Sequence, residues 1–298
     1  MDFKAAIKKG QPKTAPRMVL IGEEGVGKSS FAADAPAPVF ICAENGLVGS
    51  AFTQTENFNP ANWESVKQFA KWLQTEKHSF KTLVIDTLDW LEPMLFSFIC
   101  ARDNQKSVEG YGYGKGYNVA ADEARLFMAE LERLNKSGMG IIIISHCQIK
   151  TFNNPLGDNY DRYEAKVSKQ IAGLFKEWAD VVLFARFKIY TAKESVKSKA
   201  KGVGDAVRVI QTTKNPAWDA KNRYSLPDEL PLDYSAVMVA IENERPDTDE
   251  AIEKEIKELI EQSPMVEERK VSARSALSRD KGNSNKLKVL LNRVREAA

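Results

Sequence analysis

A chain of 298 residues with 43% hydrophobic and 28% charged residues carries enough apolar material for a large core, which excludes a disordered or fibrous protein. Lysine and arginine number 43 against 41 acids, a formal charge of +2, so any nucleic-acid surface must be local. No stretch approaches 18 apolar residues and Met1 to Gly10 has no apolar signal core, so no membrane association is expected, and a cytoplasmic protein is.

Residues 1–16 read as an arm, because Lys8, Lys9, Gly10, Pro12 and Pro16 break regular structure after Phe3-Lys4-Ala5-Ala6. The run Met18-Val19-Leu20-Ile21 predicts a buried strand. It leads into Gly22-Glu23-Glu24-Gly25-Val26-Gly27-Lys28-Ser29, which meets G-x-x-x-x-G-K-[ST] at every fixed position. A short helix follows and ends before Pro36. The glycines let backbone N–H groups turn toward phosphate oxygens, and the helix N-terminus adds partial positive charge. Lys28 reaches the β- and γ-phosphates, and the Ser29 hydroxyl ligates Mg2+. The expected ATP contacts are therefore Gly22, Glu23, Glu24, Gly25, Val26, Gly27, Lys28, Ser29 and Ser30.

Val39-Phe40-Ile41-Cys42-Ala43 predicts a second buried strand, ending at Glu44. A helix is expected over 60–76, with Pro60 in its first turn and Trp63, Val66, Ala70 and Leu73 at helical spacing. Leu83-Val84-Ile85-Asp86 is a strand ending in an acid, where a carboxylate can hold Mg2+ through water beside Ser29; Asp89 is the reserve. A helix at about 90–101 precedes a polar, glycine-rich loop over 102–118. In it Tyr111, Tyr113 and Tyr117 alternate with glycines, so the rings can lie against bases beside Lys115. Residues 119–137 predict an amphipathic helix stopped by Gly138. Ile141-Ile142-Ile143-Ile144-Ser145-His146 is the clearest strand, with His146 at its tip placed to sense a γ-phosphate. A long polar loop over 150–165 follows. Lys150, Phe152, Arg162 and Lys166 give that region the aromatic and basic mixture of a single-strand binder. A helix over 166–178, a strand over 181–184 and a hairpin pairing 185–193 with 206–213 complete the core. Alternating strands and helices predict an α/β fold with a mostly parallel sheet covered on both faces. Further on, Asp247 to Gln262 predicts a charged helix, 263–283 a linker and 284–297 a last helix with Leu287, Leu290, Leu291 and Val294 in one stripe. The expected parts are an arm (1–16), a core (17–243) and a charged helical extension (244–298). The cysteines, Cys42, Cys100 and Cys147, have no metal spacing and form no disulfide framework.

Phe40-Ile41-Cys42-Ala43-Glu44-Asn45-Gly46-Leu47 resembles the segment of RecA-type recombinase cores that presents the catalytic glutamate. Ile144-Ser145-His146, with Gln148-Ile149-Lys150 after it, is similar to the recombinase strand leading into the second DNA-binding loop, and 110–117 lies where the first would be. Gln211-Thr212-Thr213-Lys214-Asn215-Pro216 resembles the segment whose lysine reaches ATP on a neighbouring subunit. Phe3 and Ala6 look like the polymerisation motif of RecA relatives. The resemblance spans about 17–243 and is to the small phage-encoded RecA-like proteins that anneal single strands. It implies a RecA-like phosphate-loop ATPase, slow and DNA-stimulated, with Glu44 polarising the attacking water and Lys214 acting in trans. It also implies a ring or filament with ATP between subunits, and single-stranded DNA and a single-strand-binding protein as partners in a bacterial host cell. The usual sensor of that family is a glutamine, and the matching position here is His146. Two other readings remain open: a nucleotide-gated binding module with little turnover, and a small-molecule kinase. A GTPase is disfavoured, because no glycine follows Asp86 at the D-x-x-G spacing and Asn135-Lys136-Ser137-Gly138 lacks the base-reading aspartate.

Overall fold

Four consecutive isoleucines can all be buried only in a strand covered on both faces, because successive side chains of a strand point to opposite sides. In the computed structural model Ile141 and Ile143 join one core and Ile142 and Ile144 the other. The structure describes residues 14–44, 55–188, 190–192, 201–203, 207–244, 249–262, 267–280 and 284–297. The chain divides into two units, Met1–Ile241 and Glu242–Ala298.

The first unit is built on a ten-stranded, mostly parallel sheet. Its parallel part runs in the order β7 (Val181–Phe187), β1 (Arg17–Gly22), β5 (Gly140–Phe152), β4 (Thr82–Asp86), β2 (Pro38–Cys42) and β3 (Glu56–Phe58). Beside β7 lie the antiparallel strands β10 (Arg208–Gln211), β11 (Lys221–Asn222) and, outside β10, β12 (Glu229–Pro231). β8 (Tyr190–Ala192) and β9 (Lys201–Val203) form a separate ribbon. One face is covered by α2 (Trp63–Thr75), α3 (Leu88–Arg102), α4 (Lys115–Lys136) and α5 (Lys169–Trp178), and the other by α1 (Lys28–Ala33) and α6 (Tyr234–Glu244).

Local chemistry moves several boundaries away from the periodicity reading. α2 starts at Trp63, beyond Pro60, because Asn62 and Ser65 form a reciprocal capping box there. α4 starts at Lys115, which takes Lys115 and Tyr117 out of the expected loop and into a helix. The stretch 150–165, expected as a loop, is largely a hairpin. The outer half of β5 pairs antiparallel with β6 (Tyr160–Ala165), from Cys147 opposite Ala165 to Phe152 opposite Tyr160. Phe152 and Tyr160 meet at 5.2 Å across the strands, and Thr151 Oγ1 donates to Asp161 at 2.7 Å. Only the base of the ribbon meets the core, through Cys147, Tyr163 and Ala165, and its outer part is polar and largely exposed, so the stretch lacks apolar alternation and its composition reads as loop.

The second unit contains α7 (Asp249–Gln262), α8 (Glu267–Asp280) and α9 (Ser284–Ala297) around Ile256, Ile260, Leu277, Leu287, Leu290, Leu291 and Val294. α8 replaces most of the expected linker over 263–283. It contributes Leu277 with Ala273 and Ala276, too narrow a stripe to show as helical periodicity. Among the described residues, no helix is long and apolar enough to cross a membrane.

Candidate nucleotide site

The loop after β1 is shaped by two glycines with different jobs. A Cβ on Gly22 would stand 2.4 Å from the Ala185 carbonyl oxygen of β7, so β1 can hand over to the loop here only without a side chain. Gly27 has φ 107°, a left-handed conformation that turns the chain into α1. Lys28 is buried, and its Nζ donates to the carbonyls of Gly22 (2.9 Å) and Glu23 (2.7 Å). Burial pulls its pKa down. The ammonium is thus held against the loop backbone, among the groups a phosphate would meet.

Parallel strands β4 and β1 end at the same sheet edge, and this places Asp86 beside Ser29. Ser29 Oγ donates to Asp86 Oδ2 at 2.6 Å. Burial pushes the Asp86 carboxyl above its ordinary range; the Ser29 hydrogen bond opposes this and the charge of Glu44 adds to it. Thr87, one residue on, lines the same cavity, and its buried Oγ1 has no hydrogen-bond partner. Two oxygen donors, a carboxylate under electrostatic stress and an orphaned hydroxyl fit a divalent cation and its hydration shell. Ser29 and Asp86 would hold Mg2+, whose positive charge would offset that of a triphosphate.

β5 lies between β1 and β4 and carries His146 to the same edge, in register with Gly22. Asp89, in the first turn of α3, accepts from the His146 backbone N–H at 2.9 Å and meets the ring Nδ1 at 2.9 Å. Burial opposes ionisation of Asp89, but these bonds hold its carboxyl below the usual range. Both of its oxygens are engaged, so Asp89 is a positioning group for His146 rather than a rival to Asp86. Glu44, just past β2, completes a cavity of about 360 Å³ lined also by Glu24, Gly25, Gly27, Lys28, Ser29, Ser30, Asp86, Thr87, His146 and Arg208. The sequence reading missed Thr87 and Arg208. Thr87 adjoins a foreseen acid but shows its role only through burial. Arg208 comes from β10, far from the motif in sequence, and carries no local signal.

The residues expected to meet DNA are less uniform. Tyr111 is turned inward: its hydroxyl donates to Asp103 at 2.7 Å and lies 2.9 Å from the Ile99 carbonyl, which shares the same proton. Tyr117 donates to Glu109 at 3.0 Å and sets its ring edge-on to Phe96. Tyr113, at φ 49°, is fully exposed, and Lys115 is exposed beside it. Arg162 is only 6% exposed, lying over Phe152 with Asp219 at 3.5 Å and Glu164 at 3.7 Å, so burial keeps its guanidinium from a strand of DNA although its Nε has no hydrogen-bond partner. Lys150 is exposed at the ribbon, Phe152 is half-buried, and Lys166 is 3.6 Å from Glu24. Lys214, on the turn after β10, is mostly exposed, 4.0 Å from Asp219, and does not line its own chain's cavity. Phe3, Ala6 and the stretch 45–47 lie outside the described residues.

Fold and site together define a phosphate-loop nucleotide-binding protein. The chain belongs to the AAA domain family, whose model matches residues 14–224. Among solved structures it is similar to the crystal structure of the RadB recombinase, at 13% identity and TM-score 0.38, over 66% of this chain and 81% of that one. No curated protein matches the sequence.

Proposed function

We propose that this protein binds ATP with Mg2+, hydrolyses it slowly, and uses the bound state to hold an oligomer on single-stranded DNA for annealing or homologous recombination. The observation that carries the reading is the convergence of Lys28, Ser29, Asp86, Glu44 and His146 on one cavity. Lys28 and the loop amides bind the phosphates, and Ser29 and Asp86 hold the cation. Glu44 takes the proton of the attacking water as its oxygen bonds to the γ-phosphorus and the bond to the β–γ bridging oxygen breaks. His146, oriented by Asp89, reads the γ-phosphate.

Support for coupling to DNA comes from the ribbon. β5 runs from His146 straight into it, Tyr163 on β6 donates to Glu23 at 3.3 Å, and Lys166 faces Glu24. A change at the phosphates therefore reaches the ribbon at three points. Tyr113, Lys115, Lys150, Phe152 and Lys166 are the proposed DNA contacts. Lys214 is proposed to act on ATP held by a neighbour, and Phe3 to dock there through its ring.

The test is ATP hydrolysis with and without single-stranded DNA, alongside nucleotide-dependent assembly on a sizing column. DNA-stimulated turnover together with assembly is expected. Tight ATP binding without turnover would turn the reading into a gated module, and turnover stimulated by a metabolite alone would turn it into a kinase. For Lys214, the Lys214→Ala protein is mixed with Lys28→Ala. Recovery of activity is expected, because one interface then pairs an intact loop with an intact lysine; a co-assembled but inactive mixture would sink the trans role.

A further inference from the structure

We propose that Arg208 is a nucleotide-binding residue supplied by the same chain, meeting the diphosphate from the flank of the phosphate loop opposite the acids. The inference rests on the nucleotide reading of the cavity. The sheet order separates the two flanks. β5, β4 and β2 lie on one side of β1 and deliver His146, Asp86 and Glu44. β7 and β10 lie on the other. Gly22 pairs with Ala185 of β7, and Arg208 pairs with Phe187 two residues further along that strand. This register carries the start of β10 past the loop.

The Arg208 side chain then turns back over Gly27. Its Nη1 is 2.9 Å from the point where a Cβ of Gly27 would stand, and Leu232 is 3.5 Å from the same point. The guanidinium lies 6.0 Å from the Phe187 ring centroid and lines the cavity. Among the described residues, no carboxylate forms an ion pair with it. The position is held firmly from below, since Val209, Ile210 and Gln211 are all buried in β10. Arg208 itself is exposed at the start of this otherwise buried strand, and a cation so placed, without an ion-pair partner among the described residues and lying across the last turn of a phosphate loop, has the chemistry of an anion contact.

Its place along the loop says which phosphates it meets. The γ end is marked by Glu44, Asp86 and His146. The Gly27 turn is where loop amides cradle the α- and β-phosphates. Those phosphates are common to ADP and ATP and change little in the hydrolytic step. Arg208 therefore adds uniform binding, which lowers the dissociation constant of both nucleotides without assisting the chemistry.

The experiment compares the full-length protein with Arg208→Ala, Arg208→Lys and Lys28→Ala, measuring ADP and ATP affinity by calorimetry and ATP turnover at saturation. Arg208→Ala is expected to weaken ADP and ATP together, roughly tenfold, as loss of one charge-assisted hydrogen bond would. KM carries the loss rather than kcat, and Arg208→Lys recovers most of the affinity. Unchanged ADP affinity overturns the proposal. So does a fall in kcat with ADP affinity intact, which would make Arg208 a γ-phosphate residue. An equal affinity loss in Arg208→Lys with a lowered melting temperature would make it structural and overturn it too. If Lys28→Ala abolishes binding while Arg208→Ala does not affect it, this inference alone falls; if the wild-type protein binds neither nucleotide, the underlying reading falls with it.

Discussion

The phosphate cavity and the tyrosine-rich segment over 108–117 are both polar, both glycine-punctuated and both legible as motifs, yet they use their polar groups differently. In the cavity, several groups are left in need of a partner. Asp86 is buried with its carboxyl pushed up, the Thr87 hydroxyl is orphaned and Arg208 has no acid among the described residues. In the segment, Tyr111 and Tyr117 already have carboxylate partners, and Asp103 and Glu109 bind those hydroxyls. A polar group that the chain itself satisfies is part of the fold, and one left unsatisfied points to a ligand where it also lines a cavity, as Thr87 does and His78 and Ser168 do not. By that criterion Tyr113 is the member of the tyrosine set still available to a base.

The largest effect that sharpens this contrast belongs to Lys28. Lys28→Ala is expected to weaken nucleotide binding at least about 100-fold, or ~2.7 kcal/mol, in a fluorescent-nucleotide titration. Affinity close to wild type would remove the cavity from consideration. Glu44→Gln is expected to bind ATP normally and turn it over at least about tenfold slower, ~1.4 kcal/mol in the barrier. Should Asp89→Asn produce that pattern instead, the hydrogen bonds that tie Asp89 to His146 would have to be released during turnover. Tyr113→Ala is expected to cost about 1 kcal/mol in single-strand affinity, roughly fivefold, at the low end for one stacked base. Tyr111→Phe, by contrast, should leave DNA affinity alone and lower the melting temperature by about 2–4 °C as its hydroxyl bonds are lost. The reverse outcome would mean that Tyr111 swings out on DNA.

The smallest effect tests the electrostatic stress at Asp86. Its folded-state carboxyl titrates above the unfolded value, so the folded form holds the proton more tightly and stability falls as pH rises through the window between the two values. At neutral pH, above the unfolded value, Asp86→Asn is therefore expected to raise the melting temperature of the nucleotide-free protein. Mg2+ with ATP should stabilise the wild type and stabilise Asp86→Asn much less. A destabilised Asp86→Asn would show that the Ser29 hydrogen bond outweighs the burial of charge. The comparison is run by differential scanning calorimetry at pH 5 and pH 8.

The sequence by itself determined everything that local pattern and backbone chemistry fix. Consecutive apolar residues bounded by turns marked β1, β2, β4 and β5 as buried strands. The phosphate loop was complete as a contiguous motif, because its chemistry is carried by backbone amides and two adjacent side chains. Asp86, Glu44 and His146 were visible as polar residues just past apolar strands, where a parallel sheet gathers strand ends at one edge. Tertiary structure decided which of two acids faces Ser29, because Asp89 is diverted by the ring and backbone of His146. It decided that the polar stretch after Lys150 is a ribbon, since only its base is buried and the outer part lacks the alternation that burial imposes. It turned Tyr111 and Arg162 inward, away from the roles their composition suggested. It also brought Arg208 to the loop. A contact between residues some 180 positions apart depends on strand order, and no local pattern encodes that order.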